Sequence, residues 1–289
     1  MNKLQWFPGH MKKTLEQIKK NLILVDVVLV ILDARVPISS MNEKLFEIVK
    51  NKTCIILFNK KTLSDLNKNN FFLNYYKKKG FYILEIDAKT GFNVESIYKK
   101  ALSLIKYQKK RFYNPLKMMV VGIPNVGKST LINKLINRKV VKTANIPGLT
   151  KNFQWLNYKN VFKLLDTPGV LWHQFTEEKT GMSLALVGAI KDTILPLEIL
   201  LKYTLNYLKK YYCNYLKLYL NLSMFEIEKD NLFEIIMNKY KSSIICKNID
   251  IINIYYMILK KIRDKCLINI NLDLDFYYQS KINHLNKNF

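Results

Sequence analysis

Apolar runs of strand length recur through the first 170 residues, and stretches with helical spacing separate them. The runs cover residues 24–32, 53–58, 81–86, 115–121 and 161–165. Between them, residues 14–20, 42–50, 65–79, 93–106 and 130–136 carry apolar positions three or four apart. Residues 93–106 put Val94, Ile97, Ala101, Leu104 and Ile105 on one helical face. This alternation predicts an α/β fold, a mostly parallel sheet covered by helices. The first run begins as early as Leu22, but Asp26 interrupts it and Asp33 follows it, so a buried strand is expected and not a membrane span. After Gly181 the strand signal fades. Residues 196–213 and 249–263 read as helices, and the stretch between them fits neither pattern clearly. The predicted division is an α/β domain over 1–175 and a small, mainly helical domain over 176–289. No internal repeat is visible.

Chemistry enters at the fourth strand. Its end runs into Gly122-Ile123-Pro124-Asn125-Val126-Gly127-Lys128-Ser129, followed by Thr130 and a helical stretch. Strand, glycine loop and helix form the context of a phosphate-binding P-loop. Backbone N–H groups and the helix start face the anion. In that reading Asn125, Val126, Gly127, Lys128, Ser129 and Thr130 surround the phosphates. Lys128 reaches the β- and γ-phosphates, and the Ser129 hydroxyl holds Mg²⁺. The fifth strand ends in Asp166-Thr167-Pro168-Gly169. Asp166 is placed as a second Mg²⁺ carboxylate, and the Gly169 N–H as a sensor of the γ-phosphate. Between them, Pro147-Gly148-Leu149-Thr150 offers a third Mg²⁺ group in Thr150.

Composition narrows the partner. The 289 residues suit two domains, each large enough to bury a core. Hydrophobic residues at 49% and aromatics at 12% exclude a disordered chain. A net charge of +25 calls for an acidic partner, and RNA is the simplest. Most of the excess lies in residues 1–195. Compositional drift toward Lys, Asn, Ile and Tyr is the competing explanation. The basic connector at 106–111 reads equally as a solvated joint or a phosphate contact. Cys54, Cys213, Cys246 and Cys266 form no C-x-x-C pair, which suits a reducing compartment without a zinc site. His10, His173 and His284 are scattered. No signal peptide is apparent, so a cytoplasmic protein is expected, or an organellar one if a leader has been trimmed.

The base-reading elements come before the phosphate loop. Asn59-Lys60-Lys61-Thr62 follows the second strand, where GTPases carry Asn-Lys-x-Asp. Thr62 stands at the aspartate position, and a hydroxyl is not a two-oxygen charged acceptor. A weakened guanine preference is expected, with Asp65 as a nearby substitute. Asp87-Ala88-Lys89, after the third strand, is similar to the Ser-Ala-Lys motif whose N–H meets guanine O6.

This rotated order resembles the circularly permuted GTPases. The strings Gln5-Trp6-Phe7-Pro8-Gly9-His10-Met11, Asp33-Ala34-Arg35-Val36-Pro37 and Gly188-Ala189-Ile190-Lys191-Asp192 resemble the ribosome biogenesis GTPase A family, the YlqF type, over residues 5 to about 195. The resemblance implies a GTP-hydrolysing factor for late assembly of the large ribosomal subunit. It also implies a helical C-terminal domain on ribosomal RNA, hydrolysis stimulated by the particle, and His10 as the group that orients water, since Val170 after Asp166–Gly169 cannot. Asn125 matches the asparagine of potassium-assisted relatives, which makes K⁺ a candidate ion beside Mg²⁺. A monomer is expected. Two other readings stay open: an RNA-binding assembly factor with vestigial nucleotide specificity, and a P-loop enzyme on another substrate such as a nucleoside.

Overall fold

A computed structural model describes residues 10–106, 115–141, 152–171, 175, 177–242 and 250–285. Six strands form one sheet: β1 (Val27–Asp33), β2 (Thr53–Asn59), β3 (Tyr82–Glu85), β4 (Leu116–Gly122), β5 (Gln154–Tyr158) and β6 (Phe162–Asp166). Their order across the sheet is β3-β2-β1-β4-β6-β5. All neighbours are parallel except β5, which runs antiparallel to β6. Every residue of β1 is buried, as a central parallel strand with both faces covered requires. Around the sheet lie α1 (His10–Asn21), α2 (Glu43–Val49), α3 (Leu66–Lys78), α4 (Glu95–Lys106) and α5 (Lys128–Ile136). The five strands expected from apolar runs are present. β5 is an additional strand at the sheet edge, with Leu156 buried and Gln154, Trp155 and Asn157 exposed.

The registers align the carboxyl ends of the strands. Asp33 pairs with Asn59, Ile31 with Gly122, and Val120 with Asp166. Strand order reverses between β1 and β4, and in open α/β sheets such a switch point opens a crevice for ligands. The permuted order therefore brings the Asn59 loop and the P-loop to the two sides of one crevice.

The rest of the chain is helical: α6 (Glu178–Leu186), α7 (Leu197–Tyr211), α8 (Cys213–Leu220), α9 (Met224–Glu228), α10 (Leu232–Ser242), α11 (Ile251–Lys265) and α12 (Leu274–Leu285). The unclear stretch is thus α8 to α10. α7 packs on α11 and buries Leu201, Leu205 and Leu208, while α11 buries Ile258, Leu259 and Ile262. Arg263 of α11 grips Asp192 with two bonds of 2.7 Å. A segment before α12 returns to the sheet. The Asp65 N–H donates to the Ile270 carbonyl at 3.1 Å, and the Leu272 N–H to the Arg35 carbonyl at 2.7 Å. The buried Asp273 carboxylate accepts from the Ile38 and Ser39 N–H groups at 2.7 and 2.9 Å, and from the Ser39 hydroxyl. The helical region is thereby fastened to the loops that follow β1 and β2. Among the described residues, no helix is long and apolar enough to cross a membrane.

Candidate active site

The P-loop is shaped by residues that tolerate left-handed backbone. Asn125 has φ +56° and Gly127 φ +101°. A Cβ on Gly127 would strike the Asn59 amide, so glycine here serves both the turn and the close approach of a second loop. Lys128 opens α5 and is buried. Its Nζ donates to the Gly122 carbonyl at 3.2 Å and the Ile123 carbonyl at 2.8 Å, curled over the loop. Burial pulls its pKa down to about 8, against the opposing pull of Asp166; Lys60 adds to the depression. Asp166, at the end of β6, is pushed up to about 6 by burial, which outweighs Lys128 and the Thr167 N–H. Its Oδ1 is buried and finds no hydrogen-bond partner among the described residues. An orphaned carboxylate oxygen within the electrostatic influence of a buried ammonium suits a bound cation and phosphate, which would satisfy both.

The loop after β6 is pinned to this centre. The Thr167 hydroxyl donates to the Val120 carbonyl at 2.7 Å, and the Val170 N–H to the Gly122 carbonyl at 3.2 Å. A Cβ on Gly169 would lie 2.7 Å from the Pro124 backbone and 3.0 Å from Lys128 Nζ. Val170 is fully buried, and its carbonyl accepts from the Asn42 side chain at 3.1 Å. Its side chain faces the core and has no means to hold water.

The second half of the site comes from β1 to β3. Asn59 Nδ2 donates to the Val126 carbonyl at 2.8 Å, while its Oδ1 accepts from the Ala88 N–H at 2.9 Å. One side chain thus spans three loops. Lys60 adopts φ +61°, a conformation costing a non-glycine residue about 1 kcal/mol or more. Its Nζ donates to the Asn125 carbonyl at 2.7 Å and to Asp33 Oδ2 at 2.8 Å. Asp33 in turn takes a two-pronged grip from Arg35, at 3.0 and 2.7 Å. Burial alone would raise the Asp33 pKa, but Arg35 and Lys60 together hold it far below the usual carboxylate range. The loop residues of the base motif and the phosphate motif are therefore physically joined.

The remaining expected residues sit as follows. The Thr62 hydroxyl donates to Asp87, whose other oxygen accepts from the Lys89 and Thr90 N–H groups. Asp65 caps α3 through the Asn67 N–H and accepts from the Tyr212 hydroxyl, so it is engaged at the helical seam. Asn125 Nδ2 donates to the Gly188 carbonyl at 2.6 Å, which ties the P-loop to the Gly188-Ala189-Ile190-Lys191 string. Ser129 and Thr130 lie on the first turn of α5. His10 begins α1, but its side chain lies outside the described residues, as do Thr150 and the connector at 107–111. Pattern reading missed Arg35 and Asp33 as a support for Lys60; the signal available was an acidic residue at a strand end in register with Asn59.

With this geometry in view, residues 117–219 match the model of the 50S ribosome-binding GTPase family. Ribosome biogenesis GTPase A of Priestia megaterium is 43% identical over 212 residues, covering 71% of this chain and 74% of that protein. The chain belongs to the ribosome biogenesis GTPase A family. It is accordingly a GTP-hydrolysing enzyme with a role in ribosome biogenesis, on a circularly permuted P-loop GTPase fold. Family resemblance extends to mitochondrial ribosome-associated GTPase 1 of Mus musculus, 36% identical over 218 residues, 70% of this chain and 67% of that one. The crystal structure of GNP-bound YlqF from T. maritima superposes with a TM-score of 0.61 over 90% of this chain and 97% of that chain, at 22% identity. That likeness reaches through the helical region and supports the fold there.

Proposed function

We propose that this GTPase binds GTP and GDP across the β1–β4 crevice and assists late assembly of the large ribosomal subunit. The observation that carries the reading is the bridge made by Asn59 and Lys60, which joins the base-side loops to the Val126 and Asn125 carbonyls of the P-loop. Asn59, Lys60, Thr62, Asp87, Ala88 and Lys89 form the base side. Asn125, Val126, Gly127, Lys128, Ser129, Thr130 and Gly169 form the phosphate side. Ser129, Asp166 and Thr150 would hold Mg²⁺, and the orphaned Asp166 oxygen fits that role. The ion supplies positive charge to the β- and γ-phosphates. K⁺ near Asn125 would be held by the side-chain oxygen, since the Asn125 Nδ2 donates to the Gly188 carbonyl.

Within this reading, Lys128 leaves the Gly122 and Ile123 carbonyls for phosphate oxygens, where its charge is used at the transition state. Gly169 reports the γ-phosphate, and the segment after it leads into α6. Nucleotide state then passes to the helical domain, residues 176–289, which docks on ribosomal RNA. The net charge of +25 supports an RNA partner. Water is oriented by His10, since Val170 is buried and apolar. The protein acts as a monomer, and the particle stimulates hydrolysis.

Single-turnover hydrolysis with and without large subunits tests this. His10→Ala is expected to keep GTP affinity and lose about 10²–10⁴-fold of the stimulated rate, the usual contribution of a proton-transfer or positioning group. An unchanged stimulated rate assigns His10 to structure and hands water orientation to backbone or RNA.

A further inference from the structure

The base side of the site departs from the two-oxygen acceptor that GTPases present to guanine, and its hydrogen bonds show what stands in its place. Asp87 is buried, with 2% of its surface exposed, while Thr62 is exposed. Oδ1 of Asp87 accepts from the Lys89 N–H and the Thr90 N–H, both at 3.0 Å. Oδ2 accepts from the Thr62 hydroxyl at 2.5 Å and from the Thr62 N–H at 3.4 Å. The carboxylate is therefore saturated from behind and from the side. The hydroxyl, having given its single proton to Asp87, offers only lone pairs outward.

Building on the assignment of this loop to the nucleotide base, we propose that Thr62 is the base-reading residue and that Asp87 is its positioning residue, locking the threonine hydroxyl as an acceptor. The relay has a definite selectivity. Guanine presents an N1–H donor, which a locked acceptor receives. Adenine presents a bare N1 lone pair, which the same oxygen opposes. A carboxylate would take both N1–H and the 2-amino group, whereas one hydroxyl oxygen takes N1–H alone. The 2-amino group of guanine then contributes little, and hypoxanthine, which lacks it, is read almost as well.

The test measures equilibrium affinity for GTP, ITP and ATP on the full chain. For the natural protein, ITP is expected within about three-fold of GTP, and ATP at least about ten-fold weaker, one hydrogen bond's worth of discrimination. Thr62→Val, nearly the same shape, is expected to weaken GTP and ITP together by about ten-fold and leave ATP unchanged. Asp87→Asn separates a relay from a merely structural pair. Its amide oxygen can keep the Lys89 and Thr90 N–H groups, which turns its NH₂ toward Thr62. The hydroxyl is then released to donate, so ATP affinity should rise as GTP affinity falls. A GTP affinity far above that for ITP, or an unchanged GTP-to-ATP ratio in Thr62→Val, overturns the proposal. If Asp87→Asn fails to fold, the ITP comparison and Thr62→Val still decide. Lys128→Ala serves as the control: retained GTP binding there refutes the site itself, whereas lost binding there with an unmoved base ranking in the other variants refutes only the relay.

Discussion

On the proposed reading Lys128 carries the phosphate side of the site, and its own surroundings leave its charge poorly compensated. It is buried, its pKa is pulled down to about 8, and its Nζ donates to the uncharged carbonyls of Gly122 and Ile123. A bound triphosphate would supply the missing charge. Lys128→Ala is therefore expected to cost about 2–5 kcal/mol of GTP binding, the range for truncating one partner of a desolvated charge pair. The melting temperature without nucleotide should hold, because the variant removes a poorly compensated buried charge. Titration of GTP with thermal melting of both proteins checks this; a collapsed melting temperature would show that the lysine is a core group instead. Much of this side was legible in the chain, since Gly127, Lys128 and Ser129 follow a fixed spacing. The support beneath Lys60 was not, because the Asp33–Lys60 contact depends on the ends of β1 and β2 lying side by side. Nor was the engagement of Thr62 with Asp87, two residues on separate loops.

At the scale of elements, two loops meet where glycine allows it. Gly169 lies so close to Pro124 that any side chain would displace one loop from the other. Overpacking of this kind typically costs about 1–3 kcal/mol. Gly169→Ala is expected to weaken a non-hydrolysable GTP analogue more than GDP, because the displaced loop is the one proposed to meet the γ-phosphate. Competition binding with the two nucleotides measures it, and an equal loss for both would remove Gly169 from γ-phosphate sensing. Strands buried on both faces announced themselves as apolar runs. β5 did not, since an edge strand needs only one covered face, and here Leu156 is buried and Tyr158 half-buried while the residues between and before them are exposed. α8 to α10 were hard to read for a related reason. They are short, and exposed apolar residues such as Leu218 and Phe225 blur their periodicity.

At the scale of the molecule, the chain closes on itself through Asp273, bonded to the backbone 234 and 235 residues earlier. No periodicity in a sequence reports a contact of that separation. Burial pushes the Asp273 carboxyl up to about 6, despite its bonds to Ser39 and Ile38. A carboxyl raised in the folded state adds stability in full below its unfolded value of about 3.8. That contribution is lost as pH rises through about 6. The stability of the natural protein relative to Asp273→Asn should therefore increase as pH falls from 7 toward 4. Denaturant unfolding of both at several pH values checks it, and a parallel pair of pH profiles would contradict it. This clasp grips the loop after β1, the loop that opens with the Asp33–Arg35 pair.

The most direct measurement is GTP hydrolysis by the full chain and by Lys128→Ala, each with and without large ribosomal subunits. Slow hydrolysis by the isolated protein, marked acceleration by the particle, and neither in the variant are expected. Hydrolysis that survives in Lys128→Ala, or a natural protein whose rate is indifferent to the particle, would contradict a GTPase switch built at the β1–β4 crevice for the large subunit.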